Sequence, residues 1–109
     1  MSINISGSNG VLRSLDYQVP TTGFSYTIIA NSQGVILNPA GTLATGTVTM
    51  PASPSDGMTV TITTTQTITS LTLSGNTGQT VSNAITTLSI GTAVSYYYRL
   101  SNTTWYREG

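Results

Sequence analysis

Met58-Thr59-Val60-Thr61-Ile62-Thr63 alternates strictly between apolar side chains and threonine. Successive side chains of a strand leave opposite faces, so Met58, Val60 and Ile62 share one face and the threonines the other. Every residue after Met58 is β-branched, which favours a pleated backbone. The stretch predicts a strand with one face on a core and one face away from it.

A second strand follows from Ala93 to Leu100, with Val94, Tyr96, Tyr98 and Leu100 on one face and Ser95, Tyr97 and Arg99 on the other. Weaker strand patterns run over Val11–Tyr17, Ser25–Ala30, Val35–Leu37, Leu43–Met50, Thr67–Leu73, Ala84–Ile90 and Thr104–Arg107. Turn signals separate them: Asn9-Gly10, Pro20 to Gly23, Asn38 to Gly41, Pro51 to Gly57 and Ser74 to Gly78. No segment has a helical period. A chain of 109 residues fits one domain, residues 1–109. Eight or nine short strands at this spacing predict an all-β domain, a sandwich, jelly roll or barrel, with an antiparallel β-sandwich or jelly-roll-like architecture expected.

One internal echo stands out. Ile68-Thr69-Ser70-Leu71-Thr72-Leu73 matches Ile85-Thr86-Thr87-Leu88-Ser89-Ile90, and in both the apolar phase slips after the first apolar residue. A bulge could restore the inward direction. Two similar strands in one core account for this, and two copies are too few to establish a solenoid.

Charge narrows the function. Arg13, Arg99, Arg107, Asp16, Asp56 and Glu108 are the charged side chains, the net charge is zero, and there is no Cys, Lys or His. Three scattered arginines do not supply the clustered positive charge that nucleic acid requires. No basic amphipathic helix or membrane-spanning apolar run is visible. The N-terminal residues lack the features of a secretory signal, so the chain is expected to be made in a cytoplasm. A neutral surface with no staples from disulfides or metals suits a protein that gains stability by assembling.

Catalytic chemistry finds little to work with. Serine nucleophiles lack a histidine base. Three acids give neither a calcium cluster nor an evident carboxylate pair. Asp16 is expected to form a surface ion pair with Arg13, and Asp56 to cap backbone amides in its turn. No enzyme activity, cofactor or metal is expected. Asn4-Ile5-Ser6 and Asn102-Thr103-Thr104 match the glycosylation triplet by chance. Flat threonine arrays occur on ice-binding β-proteins, but the Thr59, Thr61 and Thr63 row lacks their regular repeats and reads as a solvated or partner-facing side.

The aromatic cluster near the C-terminus is the best binding candidate. Tyr96, Tyr97 and Tyr98 are consecutive, so at least one ring points away from the core. Tyr96, Tyr98 and Trp105 are expected in the core. Tyr97, Arg99 and Tyr106 are the interface candidates, being of the residue types enriched in binding hot spots.

Ile36-Leu37-Asn38-Pro39-Ala40-Gly41-Thr42-Leu43-Ala44-Thr45, Val48-Thr49-Met50-Pro51-Ala52-Ser53-Pro54-Ser55-Asp56-Gly57, Ile68 to Leu73 and Thr103-Thr104-Trp105-Tyr106-Arg107 resemble, in this order, a module of tailed-bacteriophage virion proteins. The resemblance divides the chain into N-terminal strands or an arm, 1–34, and a phage-type module, 35–109. It implies a virion location, either as a capsid decoration (cement) protein or as a receptor- or glycan-binding module of a tail fibre or spike. The small, neutral chain, which begins and ends with the module, tilts the expectation to the capsid surface. The expected partners are further copies, as a homotrimer, and the major capsid protein or other virion proteins, with no nucleic acid and no membrane. Ser2, Ile3, Asn4, Ile5 and Ser6 are expected to act by strand addition.

Overall fold

In the computed structural model, Thr59–Thr64 is a strand, and Val60 and Ile62 are fully buried. Its neighbours overturn the sandwich expectation. Residues 14–30 and 32–108 are described. Nine strands lie among them: β1 (Ser14–Gln18), β2 (Phe24–Thr27), β3 (Ser32–Leu37), β4 (Leu43–Thr49), β5 (Thr59–Thr64), β6 (Ile68–Ser74), β7 (Thr80–Ser82), β8 (Ala93–Arg99) and β9 (Thr104–Arg107).

Strands β1, β3 and β5 pair in parallel, and so do β2, β4 and β6. The chain therefore coils, laying one strand on each of two sheets per turn. The result is an all-β solenoid of about three turns in one compact domain, not an antiparallel sandwich or jelly roll. Parallel pairing requires a long crossover between partners, and here the strand on the opposite sheet is that crossover. Antiparallel pairing is confined to the far end, where β8 pairs with β5 and β9 with β8. With β7 beside β9, the larger sheet has the order β1-β3-β5-β8-β9-β7, and the smaller is β2-β4-β6.

Inward side chains stack in columns between the sheets. Val35 lies beside Ile62, and Ile62 beside Val94. On the smaller sheet Tyr26, Val48 and Leu73 form one column, and Phe24, Gly46 and Leu71 another. A Cβ on Gly46 would lie 1.9 Å from the Phe24 ring, so the glycine makes room for that ring. Trp105 and Tyr96 are the largest fully buried side chains, and Tyr98 packs on Trp105 with ring centroids 5.0 Å apart. Burying each such aromatic contributes on the order of 2–3 kcal/mol.

The phase slip of Ile68 to Leu73 is real, but its partner is not the echo. Leu43-Ala44-Thr45-Gly46 has the same pattern of two exposed residues between buried ones. Leu43 pairs with Ile68 and Thr45 with Ser70, a constant offset of 25 residues. Both coils bend together, so no one-strand bulge is needed. Residues 84–90 form no strand; Leu88 makes an isolated antiparallel bridge to Ile68. Leu100 leaves the Tyr96 and Tyr98 face for a 3-10 turn, Leu100–Asn102, and is exposed. Strand β3 runs from Ser32 to Leu37, across the expected boundary at position 34.

Candidate functional site

The outer face of the larger sheet carries the exposed Leu15, Tyr17, Tyr97 and Tyr106. Along its register Leu15 lies beside Gly34, then Thr61, then Ser95. Tyr17 lies beside Ile36, then Thr63, then Ala93. Thr59, Tyr97 and Tyr106 form a third row. Gly34 lets the Leu15 side chain lie across it, 3.0 Å from where a Cβ would stand. The face is therefore apolar at the β1 end, hydroxyl-bearing in the middle and aromatic at the β9 end.

Two of the three C-terminal interface candidates meet directly. Tyr97 and Tyr106 are cross-strand partners, 45% and 39% exposed. Arg99 shares the outer face of β8 and pairs with Thr104. The Tyr106 hydroxyl accepts from Asn102 Nδ2 at 2.6 Å. Tyr97 donates its hydroxyl to Glu108, which together with the negative charge of Glu108 raises the phenol above its ordinary pKa. Glu108 is anchored in turn, its N–H donating to the Ser95 carbonyl at 2.8 Å. Ser2, Ile3, Asn4, Ile5 and Ser6 lie outside the described residues.

The acids take up different stations. Asp56 Oδ1 accepts the Leu100 N–H at 2.9 Å, so it caps an amide 44 residues away rather than one in its own turn. Asp56, Arg99, Leu100 and Ser101 line an open depression of about 430 Å³. Asp16 sits on the inward side of β1, beside Val35, and accepts the Tyr26 hydroxyl. Arg13, its expected ion-pair partner, lies outside the described residues. Burial first, and then Asp16, push the Tyr26 phenol well above its ordinary pKa, against a smaller opposing hydrogen bond from Gln18.

The smaller sheet presents a second regular surface. Ser25 lies beside Thr47 and Thr72, and Thr27 beside Thr49 and Ser74. Their outward positions alternate with the buried ones. Hydroxyl residues thus stack with a regularity the one-dimensional pattern did not reveal, and on a different sheet from the Thr59, Thr61 and Thr63 row.

Among the described residues no three His, Cys, Asp or Glu side chains come together as a metal site. Among the described residues no helix is long and apolar enough to cross a membrane. Comparison with protein-family models, curated proteins and solved structures returns no match. The geometry of the exposed faces must therefore carry the functional reading.

Gln79 escaped the sequence reading. Its side chain accepts from the Trp105 indole and the Asn76 N–H and donates to the Pro51 carbonyl. This hub holds β9 against the last coil and so sets the position of Tyr106. A glutamine in a turn carries no local signal of such a role.

Proposed function

We propose that the chain is a tailed-phage virion structural protein, a capsid decoration protein that docks on the assembled shell through the outer face of the larger sheet. The observation that carries this reading is the uncharged run of Leu15, Tyr17, Ile36, Thr61, Thr63 and Tyr97 across that sheet. Leu15 and Tyr17 are 64% and 56% exposed, leaving large side chains open to a partner. The resemblance of residues 35–107 to phage virion modules supplies the setting.

The mechanism is selective binding. A protein that binds the closed shell and not its separated subunits stabilises the shell by mass action. Homotrimerisation at local threefold points would multiply weak contacts into avidity.

The test is the mass of the protein in solution, followed by its copy number in purified virions. A trimer at a copy number comparable to that of the shell subunit supports the reading. Absence from virions overturns it. Tyr17→Ser and Ile36→Ser should each lower occupancy while leaving the fold intact.

A second reading is a receptor-binding module of a tail fibre or spike, favoured by the exposed Tyr97 and Tyr106 pair at the sheet end. It predicts a low copy number and tail location.

A further inference from the structure

We infer that Asp16, Gln18 and Tyr26 form a polar lid on the first coil that keeps a second copy of the chain from stacking on it end to end.

The open end follows from the topology. Among the described residues β1 is the outermost strand of the larger sheet and β2 of the smaller, both at the same end of the stack. The free side of such end strands carries backbone N–H and C=O groups ready to pair with another strand. The opposite end is closed differently. There β5 passes to the antiparallel β8 and β9. The far side of β6 receives residues 86–88: the Leu71 N–H donates to the Thr86 carbonyl, and Ile68 and Leu88 exchange both backbone bonds, at 2.8 and 3.1 Å.

Only the first coils of two copies match one another, so stacking would be head to head. A two-fold axis between the copies would pair β1 with β1 and β2 with β2, antiparallel, and continue both sheets. Such a contact uses the same patch twice and closes on itself rather than growing into a fibre.

The inward columns change character at this end. Val94, Ile62 and Val35 line one column, and Asp16 is its last member. Gln18 ends the neighbouring column beyond the fully buried Leu37. Across the core Tyr26 ends the column of Leu73 and Val48, and its hydroxyl donates to Asp16. A largely aliphatic stack thus finishes in a carboxylate, an amide and a phenol. The bond from Tyr26 keeps the Asp16 charge over the core rather than out at the rim. Head-to-head stacking would take two such carboxylates out of water and set like charges against each other. An inward-pointing charge on an edge strand blocks pairing of this kind. A polar outer coil likewise keeps a stack of repeats from adding further ones.

The lid acts at the coil end and is independent of whatever docks on the outer sheet face. The experiment is sedimentation equilibrium of the full chain over a wide concentration range, for the parent, Asp16→Val, Asp16→Asn and Asp16→Lys. Asp16→Val extends the aliphatic column and should double the mass of the parent species. Asp16→Asn removes the charge and keeps an oxygen for the Tyr26 hydroxyl; it should double the mass too, at higher concentration. Asp16→Lys loses the Tyr26 bond but keeps a charge at the end, and should leave the parent mass unchanged. A folded Asp16→Val at the parent mass, fibres in its place, or a doubled mass for Asp16→Lys overturns the inference. If Asp16→Val does not fold, Asp16→Asn decides alone, and the parent mass at every concentration overturns it.

Discussion

The Trp105 indole N–H donates to Gln79 Oε1 at 2.9 Å, joining the last strand of the larger sheet to the turn that closes the third coil. Trp105 is fully buried, so its donor has no access to water as an alternative partner. Gln79→Ala would strand that donor and free the Asn76 N–H and the Pro51 carbonyl. The variant should lose about 2–3 kcal/mol of stability. Urea unfolding followed by the fluorescence of Trp105 measures it directly. A loss below about 0.5 kcal/mol, the scale of ordinary surface changes, would show that water takes over the hub.

Gly46 and Phe24 are a matched pair. Any side chain on Gly46 collides with the Phe24 ring, so Gly46→Ala should destabilise by about 1–3 kcal/mol through overpacking. Phe24→Leu in the same chain should recover part of this loss. A double-mutant cycle with strong coupling is the expected outcome, and additivity would mean that the ring moves aside freely.

Neighbouring residues of β4 should respond oppositely to near-identical chemistry. Thr47 faces outward, and Thr47→Val should fall within about 0.5 kcal/mol of the parent. Val48 is fully buried between Tyr26 and Leu73, and Val48→Thr should cost about 1–3 kcal/mol. Equal effects at the two positions would contradict the assigned faces.

Stability should fall at alkaline pH. Burial holds the Tyr96 phenol above its ordinary pKa, against weaker opposing effects of the Ile85 N–H and the Arg107 charge. Burial and Asp16 do the same for Tyr26. Above about pH 10 the unfolded chain releases these protons while the folded chain keeps them. Their contribution is therefore complete below the unfolded pKa and is lost as pH rises towards the folded one. Unfolding free energies measured from pH 8 to 11.5 should decline at the upper end, and Tyr26→Phe should shallow the decline. Tyr97→Phe should barely alter it, since that ring is exposed.

Much of the strand content was legible because it depends on local chemistry. Alternation placed Val60 and Ile62 inward and Thr61 outward, and the same rule buried Tyr96 and Tyr98 while exposing Tyr97. Such assignments need only the two-residue period of a strand. The short β7, Thr80–Ser82, has too few residues to show it.

The path of the chain was not legible. Coil length varies: Tyr17 pairs with Ile36 nineteen residues on, and Val35 with Ile62 twenty-seven residues on. Loops of unequal length erase the fixed period by which a solenoid is recognised. The apparent repeat at Ile85 misled because residue type resembles strand β6 while the backbone makes only one bridge there. The candidate site divides the same way. Local pattern could expose Tyr97 and Tyr106, but their pairing across β8 and β9 depends on strand register. Bringing Asp56 to Arg99 depends on contacts between residues more than forty positions apart. A strand's faces follow from its own residues, whereas its neighbours follow from which columns of side chains pack most densely when the whole chain closes.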